Sequence, residues 1–144
     1  MNPRPSNTLR ATLLQASAAA ALSLGLLGAA QAQDALKIGF IGTLSGPGGA
    51  LGQDQYDAFM LAIEQRGGKL GDVPVTVIKE DDQLKPDVGV QAATKLLQSD
   101  KVDIITGVTF SNVMMAIHKP ITDAEVFFIG SNAGPAPIAG KQCS

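Results

Sequence analysis

Leu36-Lys37-Ile38-Gly39-Phe40-Ile41-Gly42, running straight into Thr43-Leu44-Ser45-Gly46-Pro47-Gly48-Gly49, delivers a short apolar strand into a loop of glycine and proline. Phe40 and Ile41 are apolar on successive positions, not alternate ones. That is the pattern of a strand covered on both faces. A helix is expected over residues 52–66, where Phe59, Met60 and Ile63 recur with the small Ala58 and Ala62 at helical spacing. Gly67-Gly68 should stop it.

The same unit repeats along the chain. Residues 73–79, Val-Pro-Val-Thr-Val-Ile-Lys, read as a second strand, and Pro74 near its start marks an edge strand. Asp81-Asp82-Gln83 reads as a solvated polar turn. Pro86 suits the first turn of the next helix, because its missing N–H would lack a partner there anyway. Asp87 adds favourable charge at that end, and Val88, Ala92, Ala93, Leu96 and Leu97 form the buried stripe. Residues 102–107 are the third strand. A helix over residues 111–123 carries Val113, Met114, Ile117 and Ile121 on one side, with Pro120 expected to end or kink it near His118. Residues 126–130 are the fourth strand, and a loop-like tail with Pro135 and Pro137 follows.

Four strands separated by helices define an α/β protein with an open parallel sheet and helices on both faces. Right-handed crossovers give these four strands the order 2-1-3-4. The tail supplies no closing helix, so the outer strand should expose backbone and apolar surface. This is expected of the first part of a longer protein.

The 144 residues carry 11 Lys and Arg against 13 Asp and Glu, and the first ten residues hold Arg4 and Arg10 without an acid. An uncharged run rich in Ala, Leu and Gly follows, ending in Ala30-Gln31-Ala32. This is the three-part pattern of a cleaved export signal over residues 1–32, cut after Ala32. A membrane anchor is the competing reading, since the run approaches the ~20 residues that span a bilayer. Thr12, Gln15, Ser17 and Ser23 dilute it. Losing Arg4 and Arg10 takes the net charge from −2 to −4, and the remaining basic residues are scattered, unlike a nucleic-acid footprint. Cys143, the only cysteine, cannot form an internal disulfide.

In an open parallel sheet, ligands bind beyond the carboxyl ends of the strands, where strand order reverses. For order 2-1-3-4 that crevice lies between the loop after the first strand, with Ser45 and Leu51, and the loop after the third. The third loop brings Thr109, Phe110, Ser111 and Asn112 to a helix N-terminus, where free N–H groups and the helix dipole favour a carboxylate. Ser and Asn are equally the standard caps of such a helix. The loop after the fourth strand, Ser131-Asn132-Ala133-Gly134, opens on the same side. Phosphate-binding spacings are missing from the Gly-rich loop. His118 reads as a surface residue at a helix end, Cys143 lacks the signature of a nucleophile, and no G-x-S-x-G elbow occurs. Glu80, Asp81 and Asp82 point in alternating directions along a strand, unlike a metal ligand set. No catalytic residue, metal or cofactor is expected.

Residues 37–47, Lys-Ile-Gly-Phe-Ile-Gly-Thr-Leu-Ser-Gly-Pro, then Gly52 with the helix to Gly67-Gly68, then Asp81-Asp82, then Val102-Asp-Ile-Ile-Thr-Gly107, resemble the periplasmic solute-binding proteins of branched-chain amino-acid (leucine-binding) type. These serve ATP-driven (ABC) importers. Phe110-Ser111-Asn112, the stretch over residues 132–140, and Cys143 look like the subgroup whose ligands include aromatic and other small organic acids. The resemblance implies a two-lobed clamshell, of which residues 33–144 form an incomplete N-terminal lobe. It implies a small-molecule solute and a membrane permease as partners, and a soluble periplasmic location after signal cleavage. By position, Ser111 matches the serine whose hydroxyl and N–H hold the ligand carboxylate, and Ser131 to Gly134 match the second ligand-contacting loop. Leu51 falls where leucine binders carry an aromatic ring, a departure that weakens a leucine assignment. The ligand is left open among amino acid, aromatic acid, amide and urea. A receptor's ligand-sensing lobe and an exported α/β enzyme are the alternatives.

Overall fold

The computed structural model describes residues 34–141. The export signal, its cleavage point and Cys143 lie outside them. Five strands form one sheet: β1 (Leu36–Gly42), β2 (Lys69–Leu70), β3 (Val73–Asp81), β4 (Ile104–Gly107) and β5 (Phe127–Gly130). Three α-helices connect them: α1 (Gly49–Glu64), α2 (Pro86–Lys95) and α3 (Ser111–Asp123). The order is β2-β3-β1-β4-β5. β3, β1, β4 and β5 run parallel, and these four strands take the order their sequence predicts.

β2 was not legible. It pairs antiparallel with the start of β3, Lys69 opposite Pro74 and Leu70 opposite Val73. Gly71, at φ 61°, makes the turn between them. β3 is therefore the outer strand of the parallel set, but it is not the sheet edge that Pro74 led us to expect, because β2 pairs across Pro74 itself.

Side chains alternate across β1 and build two layers. Phe40 faces α1, where its ring meets Tyr56 edge-on at 5.1 Å and Phe59 at 5.7 Å between centroids. Ile41 faces the other way, into a core with Ala93 and Leu96 beside α2, Ile105, and Val113, Ile117 and Ile121 of α3. Two helices thus cover one face and one covers the other. The register sets Phe127 and Ile129 level with Ile104 and Thr106, on the α1 side. α1 does not cover them: they are 66% and 48% exposed. The outer strand exposes apolar surface, as expected.

Several boundaries moved. β4 starts at Ile104, two residues late; just before it, beside the start of β1, the Asp103 N–H donates to Lys37 O at 2.9 Å and its carboxylate accepts from the Lys37 N–H at 2.8 Å. α1 begins at Gly49, earlier than expected, and ends where Gly67 and Gly68 take φ 68° and 74°. α3 continues through Pro120 to Asp123, with no end at His118. A proline inside a helix costs about 3 kcal/mol. Ile117 and Ile121, both fully buried, flank it, and each such burial gains about 1.5–3 kcal/mol. Packing therefore wins.

Asp81-Asp82 overturn the reading of a solvated turn. Asp81 closes β3, and Asp82 is completely buried. Its N–H donates to Gly42 O at 2.9 Å, and its Oδ1 accepts from the Thr43 hydroxyl at 2.5 Å and Leu84 N–H at 2.8 Å. A buried carboxylate is tolerated only when hydrogen-bonded, and its chief partner comes from a loop distant in sequence.

Candidate functional site

The strand order reverses between β1 and β4, and the loops beyond their carboxyl ends meet there. Two glycines make the approach possible. A Cβ on Gly52 would lie 1.9 Å from Thr43 O, so the first turns of α1 press directly on the loop after β1. A Cβ on Gly107 would lie 2.3 Å from Ile41 O, and its φ of +102° already excludes most side chains. Val108 follows at φ 64°, a costly conformation for a β-branched residue. Its N–H donates to Ile41 O at 2.7 Å. This left-handed step swings the chain out of β4 and carries Thr109, Phe110 and Ser111 over the end of β1.

Thr109 is the centre of the resulting cluster. Its buried Oγ1 accepts from Thr43 N–H at 3.1 Å and donates to Gln55 Oε1 at 3.1 Å. Gln55 Nε2 donates in turn to Ser131 Oγ, and the Ser131 hydroxyl donates to Gly107 O at 3.1 Å. Asn132 Nδ2 donates to Thr109 O at 2.7 Å. Ser131 N–H and Ala133 N–H bond to Gly107 O at 2.8 Å and Val108 O at 3.1 Å. The loop after β5 is thereby laid along the loop after β4. Phe110 leans on the first loop, its ring 2.6 Å from where a Gly48 Cβ would stand.

α3 opens without a side-chain cap. Phe110 holds the cap position, in place of the Ser or Asn cap the sequence led us to expect. Its first backbone bond runs from Met114 N–H to Phe110 O at 3.1 Å. The amides of Ser111, Asn112 and Val113 come before it, with no carbonyl of the helix to receive them. Ser111 is exposed at this end. The Asn112 side chain turns aside and donates to Leu84 O at 3.2 Å.

Charge around the first loop is unevenly held. Burial works against ionisation of Asp81, yet hydrogen bonds from Ser45, Leu44 and Gln83 together hold its carboxyl below the usual value. Burial pushes the Asp82 carboxyl up, and the neighbouring Asp81 charge adds to this, against the Thr43 and Leu84 hydrogen bonds.

Of the residues expected to bind ligand, Thr109, Ser131 and Asn132 come together in one network, and Ala133 and Phe110 pack beside it. Ser45 lies beside Asp81, where it helps to favour that carboxylate's charge. Leu51 is 48% exposed on α1, and Gly134 is exposed with no heavy atom within 4 Å of a Cβ built on it. Gln55 was missed. Nothing local distinguishes a glutamine on an amphipathic helix; its partners lie 54 and 76 residues further on. A separate depression of about 1180 Å³ lies along α3, β5 and the tail, lined by residues such as His118, Phe127 and Ile138. It borders the uncovered side of the sheet and is distinct from the loops at the switch point. Among the described residues no cluster of His, Cys, Asp and Glu has the makings of a metal site, and no helix is long and apolar enough to cross a membrane.

Comparison with known proteins agrees with this architecture. The family model described as periplasmic binding protein matches residues 35–144. An ABC transporter substrate-binding protein from Sphaerobacter thermophilus is similar at 32% identity and a TM-score of 0.72, over 75% of this chain and 29% of its own. A solute-binding protein of an ABC transporter from Rhodopseudomonas palustris, solved with benzoate, is 34% identical with a TM-score of 0.70, over 73% of this chain and 29% of its own. Another, from R. palustris BisB5 with 3,4-dihydroxybenzoic acid, is 29% identical with a TM-score of 0.70, over 74% and 29%. The chain spans less than a third of the length of these structures. No curated protein sequence matches it. With the open parallel sheet of a type I periplasmic binding protein, and the family match running from Ala35 to Ser144, the chain belongs to the periplasmic binding protein family.

Proposed function

We propose that this chain supplies part of the N-terminal lobe of the substrate-binding component of an ABC importer, capturing a small carboxylate-bearing solute. The observation that carries the reading is the meeting of three loops at the strand-order reversal, beside the uncapped start of α3. Exposed Ser111 and the leading amides of that helix suit an anion. The solute class is an aromatic or amino acid, and the likeness to proteins solved with benzoate and 3,4-dihydroxybenzoic acid favours the aromatic acids. Ser111 is the principal carboxylate contact, with Phe110 and the Ser131–Gly134 loop beside it. On this reading the activity is binding and release, without a catalytic step.

Residues 1–32 act as the export signal, the mature protein works in the periplasm, and a membrane permease receives the loaded protein. Hinge closure of a second lobe over the crevice completes the site. The test is thermal stability of the full-length protein against benzoates, other aromatic acids, branched-chain amino acids and their amides. A bound solute at a hundredfold excess over its Kd should add about 2.7 kcal/mol. If no member of the panel shifts the melting point, and the protein instead hydrolyses an ester or amide, the reading is wrong.

A further inference from the structure

The cluster contains a chain of hydrogen bonds whose direction is fixed at both ends. A backbone N–H only donates and a backbone carbonyl only accepts. Thr43 N–H donates to Thr109 Oγ1, so the Thr109 proton goes on to Gln55 Oε1. At the far end Ser131 gives its proton to Gly107 O and must accept from Gln55 Nε2. Reversing the Gln55 amide would set Ser131, with one proton, between two acceptors, and would leave the Thr109 proton without Oε1. Only one orientation satisfies all four bonds. An amide orientation at a binding site normally has to be inferred from such a network.

Two consequences follow. The hydroxyl protons of Thr109 and Ser131 are used within the protein, so neither group can donate to a solute. Gln55 Nε2 keeps a second hydrogen with no partner among the described residues, at the carboxyl ends of β4 and β5. We propose that Gln55 is a specificity-determining residue, whose one unshared N–H selects a solute oxyanion over the corresponding neutral amide. This deepens the binding reading above and rests on it.

The experiment compares benzoate with benzamide, or leucine with leucinamide if the amino acid is the better ligand, by calorimetry on full-length protein. Gln55→Met keeps the volume and removes the donor. It should weaken the acid about tenfold or more, the scale of a hydrogen bond to a charged group, and weaken the amide much less. Gln55→Glu should weaken the acid further while sparing the amide. In the side-chain amide NMR signals of the wild type, one Gln55 Nε2 proton should be protected from exchange and the other not, with protection of the second appearing on binding. Acid binding that survives Gln55→Met, or equal losses for acid and amide, overturns the role of Gln55 and leaves the binding reading standing. Wild-type protein that binds no acid of either kind overturns the binding reading and this role with it.

Discussion

Thr43 and Asp82 are joined by a buried hydrogen bond of 2.5 Å across 39 residues of sequence, the Thr43 hydroxyl donating to Asp82 Oδ1. On the other side of the same loop Asp81 Oδ1 accepts from Leu44 N–H at 2.9 Å. Two consecutive carboxylates at the end of β3 therefore grip the loop that enters α1. The two are not equivalent. Asp81 gathers enough donors to favour its charge, while Asp82 Oδ2 is buried with no partner among the described residues.

That asymmetry predicts opposite responses to pH. The folded-state pKa of Asp82 is raised above 3.8, so its contribution is fully present below about pH 4 and is lost as pH rises through the folded value. Asp81 is lowered from 3.8, so its contribution is present above about pH 4 and is lost as pH falls through its folded value. Urea unfolding over a pH series should show Asp82→Asn gaining on the wild type as pH rises from 4. Asp81→Asn should fall behind over the rising limb below that. Changed hydrogen bonding adds an offset to each variant, so the slopes decide. Parallel curves would remove the account of both shifts.

Gly52 should be intolerant of any side chain. Its Cβ would stand 1.9 Å from Thr43 O and 3.1 Å from Thr109 Oγ1. The nearer obstacle is backbone, so α1 must move away from the loop. Gly52→Ala should cost about 1–3 kcal/mol, the range for overpacking a close contact. Gly134→Ala, where open space surrounds the position, should stay within about 0.5 kcal/mol. Equal urea midpoints for the two variants would contradict the close approach of α1.

Ser111 separates stability from binding. It is exposed, and Phe110 holds the cap of α3. Ser111→Ala should therefore change unfolding free energy by less than about 0.5 kcal/mol. Affinity for a carboxylate solute should fall by about 1.5–3 kcal/mol, the scale of a hydrogen bond to a charged group. Calorimetry beside urea unfolding reads both. A loss of stability with unchanged affinity would make Ser111 a structural residue and move the carboxylate elsewhere.

What could be read from the sequence was what local pattern controls. Ile38, Phe40 and Ile41 announce a doubly covered strand because their neighbours in sequence carry the signal, and Gly67-Gly68 announce a stop because the left-handed conformation belongs to those residues themselves. The switch-point loops followed from the strand order. What escaped depends on partners far along the chain. Asp82 looks like a turn residue until Thr43 reaches it, and Gln55 looks like helix surface until Thr109 and Ser131 close on it. Val108 is apolar and β-branched, nothing in its type announces a φ of 64°, and its N–H bonds to Ile41 O on the neighbouring strand, 67 residues back.

Pro120 is the remaining conflict between local preference and packing. It sits inside α3 with its ring exposed, and the helix passes through it because Ile117 and Ile121 are both buried. Without an N–H, Pro120 leaves Ala116 O without its helical donor. Pro120→Ala restores that donor and removes the ring's clash with the preceding turn, so stability should rise, by about 1 kcal/mol and at most about 3. One effect opposes this: proline restricts the unfolded chain, worth about 0.4–1 kcal/mol. The helical gain is the larger of the two, so the urea midpoint should increase at unchanged slope. A lower midpoint would mean that Ala116 O already has another donor and that the proline stabilises α3 through the unfolded state alone.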